Sequence, residues 1–326
     1  MAHLRIIKNL NIDFMGKRFV AMTVSAVTLF VCLLSFVIQG LNFGLDFTGG
    51  TVVEVGYAKP TELDTVTRAL NDNGFNHAMV QYFGSRQDVL IRLPPPAEND
   101  NDAEENKQPE TQAMLSNRLF QVLSKAADGQ LELRRVEFVG PQVGAELREQ
   151  GGLAVLFALI GILIYVALRF EWRFAVGAVA AIVHDVIFTV GMFSLFYIPF
   201  DLNVLAAVLA LSGYSLNDTI VIFDRVRENF RKQRKGTVIE LINRAINETL
   251  SRTFITAGAT LLVLLAPFFF GGEALYGFSL VLIIGIFVGT YSTIYVATAI
   301  VVWLGTTRAD LIPPVTKEGQ LVDDRP

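Results

Sequence analysis

A chain of 326 residues, 52% hydrophobic and 18% charged, with its apolar residues gathered in blocks, is patterned as a polytopic membrane protein and not as a soluble globule. Its net charge of −4 makes no case for nucleic-acid binding, because the basic residues collect on one side of the predicted membrane and positive-inside topology explains them without a partner. A single cysteine, Cys32, excludes a disulfide framework and reads as a small hydrophobe.

Six apolar runs approach the length that crosses a bilayer: about 19 to 39, 153 to 168, 174 to 198, 202 to 223, 254 to 270 and 278 to 304. The first follows Arg5, Lys8, Lys17 and Arg18, and its apolar core is too long for a cleaved leader, so it is predicted to stay as a helix. Lys and Arg fall at the amino terminus, at Arg169 and Arg173, and at Arg225, Arg227, Arg231, Lys232, Arg234 and Lys235, whereas the connections at Pro199–Asp201 and Gly271–Glu273 hold none. Both termini are therefore predicted to be cytoplasmic, with an amino-terminal segment 1–18, helix one at 19–39, an exported domain at 40–152, helices two to six within 153–304 around a basic cytoplasmic loop at 224–253, and a cytoplasmic tail at 305–326.

Within the exported region the hydrophobic period alternates between two and about three and a half. Thr51–Tyr57 reads as a strand, Thr61–Asn71 as a helix with Leu63, Val66 and Leu70 on one face, Met79–Phe83 and Asp88–Leu93 as a strand pair turning near Gly84, Met114–Leu123 as a helix and Leu131–Val139 as a last strand. That order predicts a ferredoxin-like α+β sandwich between helices one and two. The acidic, proline-rich stretch at 94–110 is predicted to be a flexible linker. Two glycine-rich strings bracket the domain: Gly44-Leu45-Asp46-Phe47-Thr48-Gly49-Gly50, and Val136-Glu137-Phe138-Val139-Gly140-Pro141-Gln142-Val143-Gly144. Their glycines permit a sharp turn from helix into strand. They lack the Gly-Lys-Ser/Thr ending of a phosphate-binding loop.

The fourth run contains Asp218, and a carboxylate at that depth costs roughly 2.5 to 3.5 kcal/mol on insertion scales. At about 100° per residue, Ser212, Ser215, Asp218 and Thr219 share an arc of about 120°, a polar face turned toward a neighbouring helix or a wet cavity. Burial favours a neutral carboxyl and a nearby cation favours the carboxylate, so such a group can change protonation with its surroundings. Arg252, counted back about 20 residues from the outer end of helix five, is the candidate cation. By itself the pattern suits a proton relay and a fixed ion pair equally. His184 and Asp185 form a second polar pair in helix three, able to pass protons or to hydrogen-bond a neighbouring helix. The three histidines are scattered, so no metal site is expected, and without a nucleophile, base and orienter no enzymatic bond-breaking is expected. Gly285 and Gly289 form a small-xxx-small stripe for close helix packing, and Gly258 with Ala257 and Ala259 is given the same role.

The two glycine-rich strings, together with Gly213-Tyr214-Ser215-Leu216-Asn217-Asp218-Thr219-Ile220-Val221-Ile222-Phe223-Asp224-Arg225, closely resemble the SecF family of the bacterial Sec export machinery, in family order and from Arg5 to about Arg308. The resemblance implies membership of the resistance-nodulation-division superfamily and residence in the bacterial inner membrane. It implies a partner of similar fold, SecD, with YajC as a further associate. It also implies proton-driven help for preproteins crossing the SecYEG channel after SecA has pushed them, with protons as the coupling ion and no bound cofactor. The family motif positions are Gly44, Asp46, Gly49, Gly50, Gly140, Pro141 and Gly144, and proton conduction falls to the matching Asp218 and Arg252. Two other classes compete with this motor: a passive scaffold for SecD and the channel, and one half of a small-molecule exporter, which would ordinarily carry about twelve helices in one chain.

Overall fold

The computed structural model describes residues 11–75, 77–83, 85–94, 112–127, 131–233 and 236–306, so the expected linker at 94–110 and the tail after Thr306 lie almost wholly outside them. A 3₁₀ turn at Met15–Lys17 leads into α1 (Arg18–Ile38) and the short α2 (Leu45–Thr48). Then come β1 (Gly50–Tyr57), α3 (Leu63–Asn71), β2 (Met79–Phe83), β3 (Ser85–Leu93), α4 (Gln112–Ala126) and β4 (Leu131–Val139). Five long helices follow: α5 (Pro141–Arg169), α6 (Trp172–Leu195), α7 (Leu202–Lys232), α8 (Val238–Phe270) and α9 (Gly272–Ser292). The last continues through a π-helical turn at Thr293–Ala297 into α10 (Thr298–Trp303). The chain forms two compact units, one from residues 43–153 and the other from the remainder.

Six helical stretches among the described residues are long and apolar enough to cross a membrane: Met15–Ile38, Pro141–Arg169, Trp172–Leu195, Leu202–Lys232, Val238–Phe270 and Leu275–Trp303. Each matches an apolar run, but several outrun it. The short second run lies within a helix of 29 residues that opens at Pro141, since proline at a first helical position gives up only an amide that would be unpaired anyway. Most of the stretch 224–253 is likewise helical. There α7 continues to Lys232, and α8 starts from a capping box in which Thr237 accepts from the Glu240 amide while Glu240 accepts from the Thr237 amide. Side chains lace this polar extension together: Glu248 accepts from Arg225, Asn229 and Arg244 at 2.8, 3.0 and 3.1 Å. Ahead of α1, Asn247 clamps the Ile12 backbone at both its N–H and its C=O, and Asn243 accepts from the Met15 amide and donates to Asp13.

The helical unit packs around aromatic side chains near one end, where Phe223 meets Phe170 and Phe174 edge-on at 5.7 and 4.9 Å between ring centres. Elsewhere small residues bring helices close. A Cβ at Gly191 of α6 would sit 2.3 Å from the Cβ of buried Cys32 on α1, and the Ser35 and Ser194 hydroxyls bond at 2.8 Å. A Cβ at Gly285 would press on Leu211, and one at Gly289 would lie 3.3 Å from the Cβ of Ser215, so the expected stripe packs on α7. Gly258 behaves differently, as a Cβ there would meet nothing within 4 Å inside this chain.

The smaller unit holds a four-stranded antiparallel sheet in the order β2-β3-β1-β4, with the elements following one another as strand, helix, strand, strand, helix, strand. One face carries Val53, Val55, Val89 and Ile91 against Val66 and Leu70 of α3 and Leu119 and Leu123 of α4. The other face packs Val52 and Leu90 under Leu45 of α2. The β3 strand begins at Ser85, three residues before the expected Asp88, because pairing with β2 carries it past its apolar alternation.

Candidate functional site

The polar residues singled out in the apolar runs converge on a buried cluster inside the helical unit, with Asp185 at its centre. Asp185 is fully buried and His184 is 4% exposed. One Asp185 oxygen lies 3.0 Å from His184 Nδ1, and the other accepts from the hydroxyls of Ser215 on α7 and Ser292 on α9. One carboxyl group thus ties three helices. The His184 ring stacks on Phe188 at 6.3 Å and lies 6.1 Å from Tyr291, whose hydroxyl donates to the Ala21 carbonyl of α1. Its Nε2 is buried with no hydrogen-bond partner.

The polar arc of α7 is observed as expected: Ser212, Ser215, Asp218 and Thr219 are all buried, each on the inward face. Ser215 goes to Asp185, while Thr219 meets Thr293 at 2.9 Å, at the first residue of the π turn. Asp218 sits between these two ties, 4% exposed, and its Oδ2 has no hydrogen-bond partner. A buried carboxylate oxygen without a partner is costly, and ionisable residues are rare in membrane-spanning helices. A π turn, common at functional sites, opens the helical ladder beside it.

Arg252 is the cation expected to approach Asp218, directly or through water. No ion pair joins it to Asp218 among the described residues; Arg252 projects from the exposed side of α8, whereas Asp218 points inward from α7. Its charge still acts on the Asp218 carboxyl from a distance. Ser292 and Thr293 were not singled out in the sequence. Their signal was a polar run, Thr290-Tyr291-Ser292-Thr293, inside an apolar span, and it lacks the carboxylate that drew attention to α7.

The two glycine-rich strings, about ninety residues apart, meet in the smaller unit. Gly49 and Gly50 have φ of 68° and 116°, values a side chain rarely adopts, which turn α2 directly into β1. A Cβ at Gly144 would lie 2.9 Å from the Gly49 amide nitrogen, and one at Gly49 would lie 3.0 Å from the Pro141 Cα. Gly50 pairs with Val139, and Arg148 donates to the Phe47 carbonyl at 2.6 Å. Gly44 caps α2, Asp46 lies in its first turn, and Gly140 immediately precedes α5. Among the described residues no group of three or more His, Cys, Asp and Glu is placed to hold a metal ion.

Two family models match the chain: the SecD/SecF GG motif over residues 34–61, and the C-terminal region of the protein export membrane proteins SecD/SecF over residues 120–307. The protein translocase subunit SecF of Pseudomonas aeruginosa is 49% identical, over 97% of this chain and 98% of its own. Its namesakes from Vibrio alginolyticus and Escherichia coli O157:H7 are 48% and 44% identical, covering 97% and 94% of this chain and 97% and 92% of theirs. Among solved structures, SecDF of Thermus thermophilus, described as a translocon-associated membrane protein, superposes with a TM-score of 0.76 at 38% identity over 92% of this chain. This chain spans 39% of that SecDF chain. A SecDF in a super-membrane-facing form gives a TM-score of 0.63 at 37% identity, over 93% of this chain and 40% of that one. With identity of this order along nearly its whole length, and with both family models matched, the chain belongs to the SecF family of protein translocase subunits.

Proposed function

We propose that the chain pairs with SecD in the inner membrane and uses the proton motive force to promote late steps of preprotein movement through SecYEG, after SecA has acted and with YajC as an associate. The observation that carries this reading is the unpartnered, buried Asp218 oxygen, set between two hydrogen-bonded ties to neighbouring helices. A proton arriving at Asp218 removes the charge that Arg252 attracts, and a group whose protonation changes helix packing can bias two conformations. Asp185 and His184 serve as the adjoining station, with the unpartnered His184 Nε2 as an acceptor. Protons are the coupling ion, no bound cofactor takes part, and no covalent bond is made or broken. Both termini lie in the cytoplasm. The sheet-containing unit is exported, and its antiparallel strand order supports the ferredoxin-like reading.

The test is gradient-dependent export into membrane vesicles, comparing the parent with Asp218→Asn and Arg252→Met while quantifying assembly with SecD. Assembled complexes that lose the gradient-dependent part place the proton path through α7 and α8. Unaltered export reduces the pair to a structural tie. One observation favours the second reading, a passive scaffold: both oxygens of Asp185 are hydrogen-bonded, as befits a fixed fastening of three helices. On that reading Asp218→Asn lowers export only as far as it lowers complex abundance.

A further inference from the structure

Residues 12–15, the strap ahead of α1, are fastened to the helical unit on two sides. On one side, Asn243 and Asn247 stand a turn apart on α8 and grip the strap mainly through its backbone. Asn247 accepts from the Ile12 amide at 3.0 Å and donates to the Ile12 carbonyl at 2.9 Å. Asn243 accepts from the Met15 amide at 2.9 Å and donates to Asp13 at 2.7 Å. A side-chain amide carries donors and an acceptor together, so each asparagine closes bonds of both kinds. On the other side the strap turns two apolar side chains inward. Phe14 is 8% exposed and Met15 is fully buried, in one cluster with Ile294, Ala297 and Val301. The Met15 sulfur accepts from the Thr298 hydroxyl at 3.7 Å, where the π turn gives way to α10. The strap is thus wedged between α8 and the π turn.

From Phe14 a column of rings runs inward to the acid cluster. Phe14 meets Tyr295 edge-on at 6.1 Å, Tyr295 lies 5.3 Å from Tyr291, and Tyr291 lies 6.1 Å from His184. All three spacings fall in the range where aromatic pairs attract. Tyr295 sits within the π turn and Tyr291 just ahead of it, so the column crosses the place where the helical ladder opens. Its middle is tied to α1, since the Tyr291 hydroxyl donates to the Ala21 carbonyl at 2.7 Å and meets the Ser25 hydroxyl at 3.0 Å. At the inner end, His184 Nδ1 lies 3.0 Å from Asp185 while Nε2 is buried without a partner. Hydrogen bonding therefore holds one edge of the imidazole, and the rings of Tyr291 and Phe188 must hold the rest.

We infer that the strap and the rings of Phe14, Tyr295 and Tyr291 form one positioning device, which keeps His184 against Asp185 with Nε2 as a bare acceptor. The bond that one imidazole nitrogen makes sets the tautomer at the other, so a ring free to turn would lose that arrangement. Phe14, Tyr291, Tyr295, Asn243 and Asn247 are positioning residues. The use of the device in export rests on the proton-driven reading above, whereas the positioning itself does not.

Solid-state NMR of the full-length chain in lipid nanodiscs, with nitrogen-labelled histidine, tests it, the His184 signals being those missing from His184→Gln. The parent is expected to give one pair of imidazole nitrogen signals, from the tautomer protonated at Nδ1. Phe14→Ala, Tyr295→Leu, and Asn243→Ala combined with Asn247→Ala are each expected to split those signals or at least double their width. Tyr295→Phe, which keeps the ring, should give the parent signals. So should Leu264→Ala, which opens a separate buried cluster. Where Phe14→Ala does not fold, Phe14→Leu keeps an apolar side chain without the ring. Parent-like signals in Tyr295→Leu and in the Phe14 variant, or equal broadening in Leu264→Ala, overturn the device. In vesicles where the Phe14 variant still assembles with SecD, gradient-dependent export is expected to fall at least threefold. Full export alongside broadened His184 signals overturns the use of the device in export. Because the spectra need no proton gradient, failure of the proton-driven reading is told apart from failure of the positioning.

Discussion

Asp185 and Asp218 are two carboxylates placed within the same helical unit but given opposite company. Asp185 accepts from the Ser215 and Ser292 hydroxyls and lies within hydrogen-bond distance of His184 Nδ1, whereas Asp218 keeps an unpartnered oxygen. Leaving a buried hydrogen-bonding group short of a partner costs about 1 to 3 kcal/mol. Ser215→Ala and Ser292→Ala are each expected to destabilise the helical unit by an amount of that order, read as a lowered thermal midpoint in detergent. Because both hydroxyls serve one oxygen, the double variant is expected to depart from additivity, as a double-mutant cycle would read. No local pattern in the sequence assigns Asp185 a partner on another helix. Asp218 is legible in the sequence because depth alone makes an acid conspicuous, but which hydroxyls face which acid depends on how the helices are rotated against one another.

At the scale of elements, apolar runs located every span and missed how far each extends. The runs end where hydrophobicity ends, while helices continue as long as backbone bonds and polar side-chain pairs sustain them, as α7 and α8 do beyond the apolar stretch. The strap ahead of α1 is of the same kind. Asp13 accepts from the Gly16 amide and from Asn243, and these bonds, the backbone one foremost, hold its carboxyl below the usual range. A carboxyl lowered in the folded state contributes stability above its unfolded pKa and loses it as pH falls through the folded one. Protection of the Gly16 amide, its exchange measured relative to the intrinsic rate at each pH, is therefore expected to hold at neutral pH and to fall only below the ordinary carboxylate range, and Asp13→Ala should lower it at neutral pH. The meeting of the two glycine-rich strings was not legible, since nothing local relates residues so far apart; only pairing of β1 with β4 brings Gly50 to Val139.

For the whole molecule, two units with separate cores imply that unfolding need not be a single two-state event. Leu70 is fully buried between α3 and the sheet, and truncating such a leucine costs about 2 to 5 kcal/mol. Leu70→Ala is expected to lower a transition followed by limited proteolysis of the sheet unit while leaving the helical unit's thermal midpoint in place. A common shift of both would show that the units unfold together.

By itself the sequence determined the six membrane-length helices, the strand and helix order of the smaller unit, the inward polar face of α7 and the family, because hydrophobic length, period and motif strings are local properties carried along the chain. Only the tertiary structure decided that Asp185 is the hydrogen-bonded hub, that Arg252 and Asp218 form no direct ion pair among the described residues, and that the glycine-rich strings close on each other. These are set by how helices rotate and strands pair across long separations, where the free energy of packing, and not the preference of any one segment, selects the neighbour.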